Sequence, residues 1–540
     1  MRKRFGLTGL VSVLAMVGIL LLASCSSTQS TPTSTSEKSA ASAKPYGSLV
    51  IQGRPSGMDT MDPTVQGSPN NYEALSAAVF DPLVDISLEG QLRPAIAERY
   101  EISADGMTHT FYIRKGVKFH DGSDLTGADV KFSIERILSP NSTNIDSAIW
   151  RKEMASVELK DDYSVVLHLT GPRFELLQGF NYFGNSQVVV PKKYIEEKGD
   201  DYFRKNPVGS GPFKVVSFVP SVRTELEAVE NHWREVPKFR AITVMLIPDD
   251  STKAAMLKTG ELDIAEVSPD QVASLKSAGL RIISHDGAAQ YFHALYYDLK
   301  NPDKYAFGNI KVRKALSLAT NRQEMADKIL GGYAEPSVLF YVLPTAYFWD
   351  PNQLKADPYD PEGAKRLLAE AGYPNGFSTK IWNTEGAELG NTLNTALAGY
   401  WQKVGVNAEL VQTTSAALRS MRVPVTKAEM YNTTFNTING GSVFQFERMV
   451  TAYHTTKGTL LTHNNTAIDE IIDKVAATKD PAEKKKLALQ AAVMARNEYS
   501  ILAILDVRTV YALSSKVGEM PLTKGIVNGA YNFSSITHTK

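Results

Sequence analysis

The stretch from Leu92 to Pro140 constrains the fold of this chain more than any other segment, because it marks turns, strands and a helix in close succession. Asp105-Gly106 predicts a tight turn, since both residues tolerate the backbone angles that a chain reversal needs. Thr108 to Arg114 alternates between two faces and predicts a strand, and Val117 to Phe119 predicts the start of another. The segment therefore indicates antiparallel strands joined by short turns.

A capped helix follows these strands. Thr126 is followed three residues later by Asp129, a spacing that predicts a capping box at a helix start. The helix is expected to end at Ser139-Pro140, because proline disfavours helical angles in the residue before it. At 540 residues the chain is too long for one hydrophobic core, so two or more domains are expected.

The same stretch carries an ordered series of motifs. It contains L-x-P-x-x-A-E, S-x-D-G, T-F-x-x-R-x-x-V-x-F-x-D-G and D-V-x-F-S. This series resembles the signature of the extracellular solute-binding proteins of the peptide/nickel family (family 5), which are the binding subunits of ABC importers. The chain departs from the signature at Tyr100, where the family more often has Trp, and at Gly127, where it more often has Ala.

The resemblance implies an α/β fold of the type II periplasmic-binding-protein kind, with two lobes and an additional domain. The composition of the amino-terminal residues themselves predicts a lipoprotein signal peptide at 1–24 and a disordered Ser/Thr-rich tether at 25–45, which cannot bury enough apolar surface to fold. Lobe I is then expected to comprise residues 46–80, 206–290 and 509–540. The additional domain is expected at 81–205 and lobe II at 291–508.

The amino terminus predicts export. Arg2 to Arg4 precede an apolar run from Leu7 to Leu22, as in a secretory signal. The segment Leu22-Ala23-Ser24-Cys25 also resembles the bacterial lipobox, so Cys25, the single cysteine, is the predicted site of lipidation. An ordinary signal peptide and an uncleaved anchor helix are the alternatives. The mature chain is expected on the outer face of the cytoplasmic membrane, held there by lipid.

Composition excludes several classes of function. The formal net charge is zero, so there is no basic footprint for nucleic acid. We find no G-x-S-x-G and no H-E-x-x-H, and Pro207 to Phe213 lacks the G-K-[ST] of a phosphate loop. The nine histidines are too scattered to imply a metal site, although His454 could contact a nickel chelate. We expect no catalysis, no metal and no cofactor.

Candidate ligand-binding residues come from the geometry that the resemblance implies, together with side-chain type. They are Asn71, Tyr72, Trp382, Asn439 and Phe446. Aromatic residues at cleft positions would stack on sugars or on peptide side chains. The alternatives are that Tyr72 is an ordinary surface residue and that Trp382 and Phe446 fill the core of lobe II.

The segment from Asn436 to Phe444 bears on ligand class. Peptide-binding family members often carry an Asp here that pairs with the α-ammonium group, but this segment contains no acid. A buried ammonium without a carboxylate partner is costly. Neutral groups such as Asn439 therefore favour a sugar or another uncharged polar solute, unless Glu447 compensates.

Two shorter patterns complete the interpretation of the sequence. Ile501 to Leu505 and Val507 to Leu513 predict two apolar strands on either side of Asp506. Glu261 and Asp263 flank one apolar residue in a G-x-x-D motif, and we interpret them as scaffold residues without a nearby partner.

The sequence as a whole predicts a monomeric solute-binding subunit of an ABC importer. It would capture a peptide-like or oligosaccharide-like solute by hinge closure and deliver it to a membrane permease. A lipoprotein that senses or presents a ligand without transport would have the same sequence features. A secreted hydrolase would need a nucleophile with a base, or convergent acids, and no such motif is found.

Overall fold

The structure is a computed structural model, and its described part begins at residue 44. It describes residues 44–53, 60–65, 69–144, 147–174, 176–180, 188–384, 388–414, 417–418, 433–440, 446–456, 458, 462, 465–524 and 531–539. The predicted signal peptide, Cys25 and the predicted tether up to residue 43 lie outside these residues. No helix in the described part of the chain is long and apolar enough to cross a membrane.

Strands and helices alternate along much of the chain. The strands are β1 Tyr46–Gly53, β2 Val84–Ile86, β3 Leu92–Pro94, β4 Ala97–Ile102, β5 Thr108–Ile113, β6 Met154–Asp161, β7 Ser164–Leu169, β8 Phe213–Val219, β9 Arg223–Ala228, β10 Phe239–Leu246, β11 Ile264–Glu266, β12 Arg281–Tyr296, β13 Ala334–Pro336, β14 Phe377–Thr384, β15 Val406–Thr413, β16 Thr433–Gly440 and β17 Ile501–Leu513. The helices are Pro69–Val79, Gly127–Leu138, Ser147–Glu153, Lys192–Lys198, Asp200–Lys205, Asp250–Thr259, Val272–Ser277, Ile310–Leu318, Arg322–Lys328, Pro361–Glu370, Glu388–Gln402, Phe446–His454, Thr466–Ala477 and Pro481–Asn497.

One large mixed sheet runs through the molecule in the order β15-β14-β16-β12-β17-β11-β1-β10-β9-β8. Strands β12 and β17 are antiparallel from the pair Arg281–Leu513 to the pair Ala294–Ile501. The register shifts between His285 and Ala288, where a bulge interrupts the ladder. On its other side β17 pairs with β11 near its carboxyl end and with β13 near its middle.

Separate apolar cores form on the two halves of this sheet. The first half, around β1 and β10, buries Leu49, Ile51, Phe80, Ile242 and Leu513. The second half buries a different set against the helices that follow β12, namely Tyr291, Leu316, Leu397, Trp401 and Leu505. Among the strands of the described ranges, only β12 and β17 contribute long strands to both halves, so this pair connects two lobes.

A third core lies between the four-stranded sheet β4-β5-β7-β6 and the helix Gly127–Leu138. His109, Phe111 and Ile113 face this core, as the alternation in the sequence predicts. The predicted capping box is also confirmed, because the Thr126 backbone N–H donates to Asp129 Oδ2 at 2.9 Å.

The prediction that a strand begins at Val117 to Phe119 is wrong. Lys118 forms only an isolated bridge with Asp124, and the surrounding residues form a turn. Val117 and Phe119 are nevertheless buried. The apolar pattern in the sequence therefore indicates buried residues here, but these residues do not pair with another strand.

Asp81 joins three segments that are distant in the sequence. Its buried carboxylate accepts hydrogen bonds from Ser210 Oγ at 3.1 Å, Trp233 Nε1 at 2.9 Å and Arg234 Nη2 at 2.9 Å. Although burial opposes ionisation, Arg234 and His232 together hold the pKa of Asp81 well below its usual range. The glycine turn of Pro207 to Phe213 thus has a structural role, as a support for this carboxylate.

Asp263 is a second buried scaffold carboxylate. It accepts hydrogen bonds from the Val50 backbone N–H at 2.9 Å and from Ser514 Oγ at 2.7 Å, and Lys516 Nζ lies at 3.1 Å. The expectation that Asp263 has no nearby partner is therefore wrong. The scaffold interpretation agrees with these contacts, which tie β1 to the end of β17.

Candidate ligand-binding site at the strands that join the lobes

The two strands that join the lobes carry polar residues in one register. Gln290 on β12 lies opposite Asp506 on β17, and Asp506 lies opposite Glu335 on β13. We call Gln290, Asp506 and Glu335 the polar row. On the other side of β12, the backbone of Asn439 on β16 lies opposite Gln290 and continues the register. Directly opposed residues on neighbouring strands face the same side of a sheet.

Gln290 is held rigidly in this row. It is buried, and its Nε2 donates to Asp506 Oδ1 at 2.8 Å and to the Leu339 carbonyl at 3.1 Å. Its Oε1 accepts the backbone N–H of Tyr341. Tyr341 has φ of 60°, in the left-handed region that non-glycine residues rarely occupy. The turn from Leu339 to Val342 therefore fixes the amide that contacts Asp506.

Asp506 is the polar residue that β17 contributes to this row. Leu505 and Val507 on either side of it are buried, whereas Asp506 is partly exposed. Burial by the surrounding protein raises the pKa of Asp506 to about 6, although hydrogen bonds from Ser337 and Gln290 oppose this rise. The nearby Glu335 raises it further. A carboxyl group with this pKa is partly protonated at pH 6 and ionised at pH 7.5.

An aromatic cluster borders the row on β12. It consists of Phe292, Phe340, Tyr341 and Tyr453, and Trp382 packs against it. The rings of Phe292 and Phe340 have centroids 3.6 Å apart, and those of Phe340 and Tyr453 are 5.3 Å apart in an edge-on arrangement. These four rings are buried, so the cluster is a core next to the polar row, and the partly buried Trp382 packs against it.

The structure places two of the predicted residues near this region. Trp382 lies on β14, is partly buried and packs against the aromatic cluster. Asn439 lies on β16 in register with the polar row, and its side chain is outside the description. Ligand contact by Trp382 and Asn439 stays a prediction.

The other predicted residues lie elsewhere. Phe446 is buried at the start of the helix Phe446–His454, with its ring 4.7 Å from that of Phe348 in a separate core cluster. These surroundings favour the core-packing alternative for Phe446. Asn71 and Tyr72 lie in the helix Pro69–Val79, but their side chains are outside the described part, so their role stays a prediction.

His454 lies against an acidic side chain. His454 Nδ1 contacts Glu498 Oε2 at 2.6 Å, and both side chains are buried. Across the described part of the chain, no three His, Cys, Asp or Glu side chains are grouped so that they could hold a metal ion. The side chain of Glu447, considered above as a substitute acid, is not among the described groups.

Sequence reasoning did not find Gln290, Glu335 and Asp506. They are far apart in the chain, and only strand pairing brings them together. One signal was available, because Asp506 and Arg508 are charges within an otherwise apolar run. The prediction of two strands separated at Asp506 is wrong, since β17 is continuous from Ile501 to Leu513.

Two lobes joined by a pair of long strands, a polar site on that pair and an additional four-stranded domain define a solute-binding protein of the type II periplasmic kind. The sequence profile described as "Bacterial extracellular solute-binding proteins, family 5 Middle" matches residues 91–459. The chain belongs to this family. It is therefore the extracytoplasmic solute-binding subunit of an ABC importer.

Relatives with curated names agree with this assignment. The glutathione-binding protein GsiB of Salmonella paratyphi A is 26% identical over 451 residues, which cover 81% of this chain and 84% of that protein. The GsiB of Escherichia coli O157:H7 is 27% identical over 444 residues, covering 80% and 84% respectively.

Solved structures share the fold. The periplasmic binding protein DppA from Helicobacter pylori, in complex with the peptide STSA, has a TM-score of 0.77 and 23% identity, and the match covers 92% of this chain and 99% of that one. The NikA of Brucella suis, in complex with Fe(III)-EDTA, has a TM-score of 0.79 and 20% identity, with coverage of 91% and 100%. These likenesses establish the two-lobed fold.

Proposed function

We propose that this chain, acting as a monomer, captures a peptide-like or oligosaccharide-like solute between its two lobes and delivers it to membrane permease subunits. The observation that carries this proposal is the polar row, which lies where β12 and β17 pass from one core to the other. A solute bound there touches the strands about which the lobes move. The lobe boundaries predicted from the sequence are part of the proposal.

Hinge closure follows from differential affinity. A solute that contacts both lobes in the closed form, and one lobe in the open form, shifts the equilibrium toward the closed form. Rotation about two strands requires little repacking, because the two cores are separate clusters. The closed form is the one that we expect to dock on the permease.

We propose binding without catalysis. The polar row consists of an amide and two carboxyl groups, and Arg508 pairs with Glu335. These groups suit hydrogen bonding and charge recognition. Mass spectrometry of a solute recovered after long incubation should show it unaltered, and a hydrolysed or modified product would contradict this part of the proposal.

We also propose that Cys25 carries the lipid anchor. The proposal rests on the apolar run before Leu22-Ala23-Ser24-Cys25 and on the absence of any other cysteine from the sequence. A Cys25→Ser variant expressed in bacteria should move from the detergent phase to the aqueous phase on phase separation. A Ser30→Ala variant is the control and should stay with detergent. Retention of Cys25→Ser in the detergent phase would contradict lipidation.

A thermal-shift screen tests solute binding. The panel would contain glutathione, the peptide STSA, di- to pentapeptides, maltooligosaccharides and nickel with small chelators. A solute that binds only the folded state stabilises it by about 2.7 kcal/mol at a concentration of 100 times Kd. We expect a peptide or saccharide to raise Tm. A response only to chelated metal would contradict the proposed solute class.

A further inference from the structure

We propose that the Asp506 carboxylate binds the ammonium group of a peptide-like solute. The inference rests on the proposed function and deepens it by naming the charge that the site recognises. It assigns to β17 the carboxylate that the segment Asn436 to Phe444 lacks.

Most other inward-facing aspartates have a cationic partner, and Asp129, which caps a helix, is the exception. The pairs are Asp62 with Arg136 at 3.0 Å, Asp81 with Arg234 at 2.9 Å, Asp85 with Arg234 at 3.1 Å, Asp263 with Lys516 at 3.1 Å and Asp357 with Arg496 at 2.7 Å. Proteins pair such charges because an isolated, poorly hydrated carboxylate is costly. Asp506 departs from this pattern, since no Lys, Arg or His within the described ranges makes an ion pair with it.

Arg508 is the cation that could have neutralised Asp506. It lies two residues further along β17, and residues two apart in a strand share a face. Its guanidinium instead makes an ion pair with Glu335 on the neighbouring strand β13. The polar row is thus left with one carboxylate whose protein partners, Gln290 and Ser337, are neutral.

The Asp506 carboxylate is preorganised. Contacts with Leu339 and Tyr341 fix the amide of Gln290, which in turn positions Asp506 Oδ1. Asp129 shows the contrast: it is buried without a cation, but it accepts the backbone N–H groups of Thr126 and Lys192 and so acts as a cap. Asp506 is fixed in place yet partly exposed, which leaves it accessible to a solute.

The aromatic cluster supports the same site from behind Gln290. Phe292 lies two residues after Gln290 on β12, and Tyr341 is the residue whose N–H contacts Gln290. Because these rings are buried, they hold the turn at Tyr341, and with it the Gln290 amide that contacts Asp506, in place.

The test uses the full chain purified in detergent. Immobilised protein is offered a casein hydrolysate, and in parallel the same hydrolysate after N-acetylation, and retained peptides are identified by mass spectrometry. The affinity of the best retained peptide and of its acetylated form is then measured by calorimetry for the wild type, for Asp506→Asn and for Asp357→Asn. The control Asp357 is also partly exposed, but Arg496 neutralises it.

We expect the wild type and Asp357→Asn to bind the free-amine peptide at least about thirtyfold more tightly than the acetylated form, and Asp506→Asn to lose this preference. Equal binding of both forms by the wild type, or an unchanged preference in Asp506→Asn, would overturn the inference and leave the solute-binding function intact. If the immobilised protein retains no peptide but binds maltooligosaccharides, the inference is also overturned and the solute-binding function stands. If neither peptides nor saccharides bind, the proposed function fails as well.

A second measurement uses the wild type alone. Because the carboxylate must be ionised to pair with an ammonium group, affinity for the free-amine peptide should fall up to about tenfold per pH unit below pH 6. The charged side chains that face Asp506 from β13 and from β17 are Glu335 and Arg508, which pair with each other. An affinity that does not change between pH 7.5 and pH 5 would contradict the inference.

Discussion

Replacing Asp506 with asparagine should stabilise the ligand-free protein at neutral pH. Asparagine has the same shape, and its carbonyl oxygen still accepts the hydrogen bond from Gln290 Nε2. The substitution removes only a charge that burial disfavours. A carboxylate that stabilises the fold would give the opposite result, because its replacement would lower the free energy of unfolding.

The size of the effect follows from linkage. The pKa of Asp506 is raised from 3.8 to about 6 in the folded state, so its contribution to stability is complete below pH 3.8 and is lost as pH rises through 6. The difference between these pKa values corresponds to about 3 kcal/mol. Because Asp506 is partly exposed, solvent screening makes this figure an upper limit.

Thermal unfolding of the ligand-free protein measures this effect. For about 500 residues, unfolding entropy is about 1 kcal/mol/K, so 3 kcal/mol corresponds to a rise in Tm of about 3 °C. The Tm of Asp506→Asn should exceed that of the wild type by up to this amount at pH 7.5, and the gap should close near pH 4. A lower Tm for the variant at pH 7.5 would refute the reasoning, because it would mean that the carboxylate stabilises the fold.

Three further substitutions test the scaffold. Asp81→Asn should destabilise the protein by about 3 to 5 kcal/mol in denaturant titration, because it removes one of the two buried carboxylates, Asp81 and Asp85, that neutralise Arg234, whereas Glu101→Gln in an exposed pair should cost less than about 1 kcal/mol. Gly209→Ala should lower soluble yield and Tm, because its Cβ would lie 2.0 Å from the Val79 carbonyl oxygen; Gly171→Ala, with open space around it, is the control. Trp401→Ala should cost about 3 to 5 kcal/mol, since the side chain is fully buried. Equal effects of a substitution and its control, or a loss below 1 kcal/mol for Trp401→Ala, would contradict these assignments.

Local features of the fold were predictable from the sequence. The capping box of Thr126 and Asp129 and the end of that helix before Pro140 depend on residues within one or two turns of each other. Asp480-Pro481 marks the start of the helix Pro481–Asn497 in the same way, with the Asp480 side chain accepting the Glu483 N–H at 2.7 Å. Such signals involve short-range contacts, so the residues themselves carry the information.

Features that depend on strand partners were not predictable. Val117 to Phe119 has a strand-like pattern but does not pair as a strand. The charge of Asp506 suggests a break between two strands, but β17 is continuous there. In the second case the partners of the charge, Gln290 and Ser337, lie more than 160 residues away along the chain. Only the register of β12, β13 and β17 reveals that Asp506 belongs to a polar row.

The ligand class illustrates the same limit. The lack of an acid from Asn436 to Phe444 favoured an uncharged solute, because the sequence showed no other carboxylate placed to meet an ammonium group. Strand pairing supplies Asp506 from a different segment. A function that depends on charge complementarity can therefore be served by residues that no local motif contains.

The most direct test of the account is the distance between the lobes with and without solute. Cys25 is the single cysteine in the sequence, so a chain from Tyr46 onward with Val216→Cys and Ile310→Cys can be labelled at two exposed positions, one on each lobe. Energy transfer between the dyes should increase when a bound peptide or saccharide saturates the site, because the lobes close around it. Saturating binding with unchanged energy transfer would contradict capture by hinge closure.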